Sequence, residues 1–338
     1  MIYLDNGATT FPKPEVVYQA MDIFARTGAV NAGRGAYAAA RAADQMIKNV
    51  RAGLISLMDA REQAQVVLTP SVTIALNQII YGQAWTENSI AYVSPYEHNS
   101  VLRPLHVLSK KIGFQVLELP LAEDLSIDLA KTAAMFEENP PSFVAVTAVS
   151  NVTGYILPHR EIFRLARRYG AFNLLDGSQA VGLIRLPFAQ TMADAICFAG
   201  HKTLYGPFGI AGFLIKNSAK LQVTLAGGTG TKSEDLSMPT SLPGSMEAGS
   251  KDTVAIAGLE AALKWLPSIK PLEHERAMAA HFIEEAGKID GVELYCAPGG
   301  LQNQAGVVSF GVRGFKAIEV AAILDNKYDI AVRAGHHC

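Results

Sequence analysis

Three polar sequences in this chain follow runs of apolar residues: Ser150-Asn151 after 143–149, Asp176-Gly177-Ser178-Gln179 after 172–175, and Gly200-His201-Lys202 after 195–198. In open α/β sheets ligands collect outside the carboxyl ends of strands, which is where these sequences fall if the apolar runs are strands. A carboxylate at one strand end and a lysine at another make either an ion pair or a catalytic pair. Each residue alone also has a plainer reading, Lys202 as a solvated loop lysine and Asp176 as a helix N-cap. One chemistry that uses both is that of pyridoxal phosphate, where a lysine amine forms a Schiff base and a carboxylate keeps the pyridine nitrogen protonated. The phosphate of that cofactor wants hydroxyls and backbone N–H groups at a helix N-terminus. Pro70 to Asn77 supplies a strand-to-helix turn with Ser71 and Thr73, although such residues also serve as simple N-caps.

The elements that must hold these residues are legible as alternating patterns. Strand-like runs occur at 66–68, 90–93, 114–117, 143–146, 172–175, 195–198 and 210–215. Several are continuously apolar, as expected of strands buried on both faces of a parallel sheet. Amphipathic helical spacing marks 41–58 through Met46, Val50, Leu54 and Leu57, and 158–169 through Ile162, Leu165, Ala166 and Tyr169, with Gly170 placed as a C-cap. The result is a doubly wound α/β domain. From about residue 225 a loop rich in Gly, Ser, Thr and Pro runs from Gly227 to Ser250, too long for an ordinary connection. Helices near 254–266, 272–288 and 316–326 and strands at 292–295, 307–310 and 330–332 then predict a smaller α+β domain.

Composition narrows the function. The 338 residues are 49% hydrophobic and 18% charged, which excludes wholesale disorder. A net charge of −2, with no charged block, gives no electrostatic footprint for nucleic acid or an anionic membrane. No apolar stretch reaches the roughly 18–20 residues of a spanning helix, and Met1 to Asn6 have no signal-peptide character. Three cysteines are too few for a disulfide framework, so a cytoplasmic enzyme is expected, with Cys197 and Cys296 as packed core thiols. No Gly-x-Gly-x-x-Gly follows the first strand, which argues against a nicotinamide enzyme.

Seven sequences run nearly end to end along the chain: Tyr3 to Thr10, Asn31 to Gly35, Glu97-His98-Asn99, Val149 to Gly154, Asp176 to Ala180, Gly200-His201-Lys202 and Glu247-Ala248-Gly249. Together they resemble the motifs of the cysteine desulfurase and selenocysteine-lyase-like members of the class V aminotransferases. Ala331-Val332-Arg333-Ala334-Gly335-His336-His337-Cys338 is similar to the segment that carries the sulfur-accepting cysteine in the family's second group. The resemblance implies the aspartate-aminotransferase-like fold of type I. A large, doubly wound, mainly parallel seven-stranded domain would span 14–250, and a smaller α+β domain would combine 1–13 with 251–338.

It implies pyridoxal 5'-phosphate as cofactor and Lys202 as the lysine that holds it. Asp176 would pair with the pyridine nitrogen, and Gln179 and Asn151 would lie near the phenolic oxygen. His98 would stack on the ring and move protons. Thr73 and His201 would hold the phosphate, with Ser250 reaching it from a second subunit of a homodimer. Arg333 and Asn151 would face the substrate, the arginine pairing with its carboxylate. Cys338 would take sulfur from L-cysteine as a persulfide, leaving L-alanine; selenocysteine is an alternative substrate, and a sulfur-acceptor protein an implied partner. Relatives of this kind continue some tens of residues past that cysteine, so a shortened small domain is expected. Two other readings stay open: a different class V reaction, such as transamination or β-elimination, or an inactive relative that keeps the fold.

Overall fold

The computed structural model describes residues 1–32, 35–230 and 234–335. His336, His337 and Cys338, with Gly33 and Arg34 of the Asn31–Gly35 motif, lie outside the described residues. The strands are β1 (Ile2–Tyr3), β2 (Ala64–Thr69), β3 (Ile90–Val93), β4 (Gln115–Glu118), β5 (Phe143–Thr147), β6 (Phe172–Asp176), β7 (Ala195–Ala199), β8 (Ala211–Lys216), β9 (Val292–Tyr295), β10 (Ser309–Val312) and β11 (Ile330–Ala331). The helices are α1 (Glu15–Thr27), α2 (Ala38–Leu57), α3 (Val72–Tyr81), α4 (Asn99–Ile112), α5 (Leu129–Glu138), α6 (His159–Ala166), α7 (Phe188–Thr191), α8 (Thr253–Trp265), α9 (Pro271–Ala286) and α10 (Ala317–Tyr328).

Seven strands form the central sheet in the order β2-β8-β7-β6-β5-β3-β4. Only β8 runs antiparallel to its neighbours; the pairs β3–β4, β3–β5, β5–β6 and β6–β7 are parallel. The continuous apolar runs have a direct explanation in the two cores that flank this sheet. Val144, Val146, Leu175, Ile196 and Phe198 point into one, with α2, α6 and α8; Phe143, Ala145, Leu174, Ala195 and Cys197 point into the other, with α3 and α4. Alternate residues of a strand face opposite sides, so both sets must be apolar. Helix α8 sends Ile256 and Leu259 into the first of these cores. Because β3, β5, β6 and β7 are parallel, their carboxyl ends share one edge, and the polar sequences singled out above leave from it.

Two small pairings complete the chain: β9 with β10, antiparallel, and β1 with β11, parallel, in the register Ile2↔Ile330 and Tyr3↔Ala331. Strand β10 begins two residues later than its apolar run suggested. Gly170 adopts the left-handed conformation expected of a C-cap, at φ 74, after a 3-10 turn that extends α6. Cys197 is fully buried as expected, whereas Cys296 is only half-buried; it follows the end of the short strand β9, in a pair whose residues stay partly or fully exposed.

The turn after β5 depends on a glycine. Gly154 has φ +69, and a Cβ there would lie 2.3 Å from both Gln304 Nε2 and the Val307 carbonyl oxygen. Gln304, 1% exposed, needs that space, since its Nε2 donates to the carbonyls of Thr153 (2.9 Å) and Val307 (2.6 Å) while its Oε1 accepts from Ala297 N (2.7 Å). Gly154→Ala should therefore destabilise the fold by about 2–4 kcal/mol, from overpacking together with backbone strain. A urea titration of the cofactor-free protein reads this directly; an unchanged midpoint would mean that Gln304 and Val307 give way freely.

Candidate active site

Asp176 ends β6 and is 4% exposed. Its Oδ1 accepts from Ser178 N at 2.9 Å and from Ser178 Oγ at 2.5 Å, an Asx turn and not the helix N-cap that was its plainer reading. The turn fixes the carboxylate and leaves Oδ2 outside these two bonds. Lys202 lies three residues beyond β7, half-buried, so the solvated-lysine reading fails as well. Burial pulls its amine below the ordinary lysine pKa, the Asp176 charge pulls the other way, and the Arg333 charge adds to the lowering. The carboxylate, the amine and the guanidinium thus share one electrostatic neighbourhood, although 157 residues separate the last from the first.

His98 caps α4, accepting Ser100 N on its Nδ1 at 3.0 Å. An acceptor at Nδ1 places the proton of the neutral ring on Nε2. Burial lowers the pKa of His98, with the charges of Lys202 and Arg103 in the same direction and that of Asp176 opposed. Thr73 stands in the first turn of α3, whose N-cap is Ser71 through a bond from Ile74 N. The hydroxyls of Thr73 and Ser100 are 3.0 Å apart, and Ser100 Oγ is 3.0 Å from His98 Nδ1. The first turns of α3 and α4 are therefore joined through hydroxyls.

The His201 ring stacks on Phe208 at 4.4 Å. Its Nδ1 is buried without a hydrogen-bond partner, and burial, Lys202 and Lys13 hold the ring neutral by pushing its pKa down to about 4. Its carbonyl oxygen accepts three donors from the amino-terminal segment: Thr9 Oγ1 at 2.9 Å, Thr10 N at 3.0 Å and Lys13 Nζ at 2.8 Å. Thr10 Oγ1 also donates to the Lys202 carbonyl at 2.8 Å. Gln179 ties the same segment down through Nε2 to the Gly7 carbonyl at 2.6 Å. Asn151 follows Ser150, whose Oγ accepts from Val152 N and Thr153 N at 3.2 Å each and so shapes the loop after β5.

One expected residue, Ser250, stands apart from this cluster, and another, Arg333, reaches its electrostatic neighbourhood while paired elsewhere. Ser250 is exposed at the end of the long loop and makes no hydrogen bond among the described residues. Arg333 forms a two-pronged pair with Asp5, Nε to Oδ1 and Nη2 to Oδ2, both 2.9 Å. That fork is the geometry a substrate carboxylate would use, here filled by a residue from the opposite end of the chain. Sequence reasoning named neither Asp5 nor Lys13 as a functional residue, and it passed over Glu97; all three lie within or beside the quoted motifs, which was the available signal.

Fold and cluster together define a class. Residues 2–338 match the family model described as Aminotransferase class-V, and the chain belongs to that family, whose members depend on pyridoxal phosphate. Within it, the chain is similar to cysteine desulfurases. It is 31% identical over 351 residues to the cysteine desulfurase of Salmonella agona (strain SL483), an alignment covering all of this chain and 84% of that relative. The apo structure of cysteine desulfurase from Thermococcus onnurineus NA1 superposes with a TM-score of 0.89 at 28% identity, covering all of this chain and 85% of that one. The cysteine desulfurase CsdA (S-sulfonic acid) of Escherichia coli gives a TM-score of 0.85 at 25% identity, covering 98% and 84% of the two chains. Among the described residues no helix is long and apolar enough to cross a membrane.

Proposed function

We propose that this chain is a pyridoxal-phosphate-dependent cysteine desulfurase that acts as a homodimer, converting L-cysteine to L-alanine and taking the sulfur on Cys338 as a persulfide. The observation that carries the reading is the placement, at the end of β6 and just beyond that of the adjacent β7, of the buried Asp176 carboxylate and the Lys202 amine close enough for the one charge to act on the other. The residues present fit the cofactor. The orphaned, buried Nδ1 of His201 suits a phosphate oxygen, and the Asx turn at Asp176 suits a carboxylate held for a ring nitrogen. Thr73 would add a hydroxyl to the phosphate, Gln179 and Asn151 would lie near the phenolic oxygen, and Ser250 would reach across to the second copy.

When bound, pyridoxal phosphate supplies an aldehyde for amines and a cationic ring that draws electrons from the substrate's Cα. The remaining work falls to the chain. Asp176 holds the ring nitrogen protonated, since a carboxylate beside it favours the cation. Lys202, its neutral form favoured by burial, removes the Cα proton and returns one. His98 presents a neutral ring with its proton on Nε2 to the cofactor's face. Arg333 orients the substrate carboxylate, exchanging it for Asp5. Cys338 attacks the substrate sulfur as thiolate; the S–Cβ bond breaks, its electrons stay on carbon, and protonation there gives the methyl group of alanine.

The test is alanine release from L-cysteine by the cofactor-loaded chain and by its Cys338→Ser variant, with the cofactor absorbance recorded for both. Release by the parent should fall at least about 10²-fold in the variant at an unchanged spectrum, a loss of the size expected for removing a nucleophile. Equal release by both, or none by a fully loaded parent, overturns the assignment.

A further inference from the structure

Behind His98 the chain buries a carboxyl group to which the reaction above gives no part. Glu97 is 8% exposed and lies in the turn that leaves β3. Its Oε1 accepts two short hydrogen bonds, from Ser94 Oγ and from Thr147 N, each 2.5 Å. Its Oε2 is buried with no hydrogen-bond partner. Thr147 is the last residue of β5 and stands in register with Asp176 on β6. One side chain therefore ties the turn carrying His98 to the strand beside Asp176.

A buried oxygen without a partner is tolerable on a neutral acid and far more costly on an anion, because only the anion loses a full charge's solvation. Asp176, the charged group that acts on Glu97, raises that cost further. Burial first and Asp176 second lift Glu97 to about 8, against the lowering by the bonds from Ser94 and Thr147.

We propose that Glu97 is a positioning residue of this site, a neutral carboxylic acid that sets the spacing between His98 and Asp176 and leaves Asp176 to carry the negative charge beside the cofactor ring. What it positions rests on the pyridoxal-phosphate reading above; its neutrality rests on its burial, its unpartnered Oε2 and the nearby Asp176 charge. The acid form carries its proton on Oε2 and accepts through Oε1. A glutamine at this position would do the same with its amide, accepting from Ser94 and Thr147 without adding charge. Alanine would release the turn from β5, and displacement of a catalytic group by about 1 Å can cost on the order of 10²-fold in rate.

The first measurement is the infrared difference spectrum between cofactor-free parent and Glu97→Gln near neutral pH. A carboxylic-acid C=O band should be present in the parent, absent from the variant, and lost from the parent as the pH rises through about 8. No such band overturns the neutral acid, whatever the enzyme's activity proves to be. With cofactor bound, Glu97→Ala should shift the absorbance maximum and lower kcat at least about tenfold, while Glu97→Gln restores the parental maximum and its pH titration. An unchanged spectrum in Glu97→Ala, or Glu97→Gln as impaired as Glu97→Ala, overturns the positioning role. If Glu97→Ala does not fold, Glu97→Gln and the infrared band decide. A loaded parent that releases no alanine leaves the infrared and absorbance readings intact, so failure of the desulfurase assignment stays distinguishable.

Discussion

Lys202→Ala is expected to lose activity by at least about 10³-fold, since in the proposed function one substitution removes both the attachment point for the cofactor and the proton-transferring amine. Borohydride reduction of the loaded parent followed by peptide mass analysis should find the cofactor's mass on the peptide containing Lys202. The same treatment of the variant should find none, and a label retained there would sink the assignment of this lysine. Stability should move the other way. In the folded chain burial holds Lys202 below the ordinary lysine pKa, whereas an unfolded lysine titrates near ~10.4. Between those two values the unfolded chain binds more protons, so the lysine's unfavourable contribution fades as pH rises. The difference in thermal midpoint between cofactor-free parent and Lys202→Ala should accordingly shift in the parent's favour from pH 7 towards about 10. A difference that is flat with pH would mean that the amine is not penalised by burial.

Asp176→Asn is the second large effect. Asparagine can still accept the two bonds from Ser178 through its oxygen, so the turn should persist while the charge disappears. A loss of about 10²–10⁴-fold, mainly in kcat, is expected from the proposed role of Asp176, which is to keep a proton on the ring nitrogen. The same variant should alter Lys202. Asp176 is the charge that raises its pKa against burial and Arg333, so the amine should become reactive towards an acylating reagent at lower pH than in the parent. Glu97 should shift too, its infrared acid band disappearing at lower pH, because the charge opposing its ionisation has gone. Activity within about tenfold of the parent, with Lys202 labelling unmoved, would mean that Asp176 is not the ring's partner.

The central sheet was legible because both its faces are covered, which forces the strands to be apolar throughout and leaves the polar strand ends conspicuous. Lys202, Asp176 and Asn151 could be placed at one edge on that ground alone. What escaped was everything set by long-range pairing. Strand β1 is two half-exposed residues, too short for any period, and it exists because Leu4 N and the strand itself bond to β11. Helix α1 fully buries only Val17, so its apolar stripe carries little signal. The Asp5–Arg333 fork joins residues 328 positions apart, and no local pattern announces it. Gln304 looked like one polar residue in a polar loop, yet its side chain is fully committed. Glu97 was visible only as the neighbour of a histidine; its burial depends on how β5 ends.

The seating of residues 2–13 also bears on how the molecule is made. Their partners are the His201 carbonyl in the middle of the chain and β11 close to residue 330. A ribosome adding about 5–20 residues per second takes tens of seconds to travel from the first of these elements to the last. Residues 2–13 are thus synthesised well before either partner exists and can take their seat only once both have emerged. Until that segment is seated, the His201 carbonyl lacks the three donors that Thr9, Thr10 and Lys13 supply. Seating residues 2–13 therefore ties the turn at His201 and strand β11 to one and the same segment.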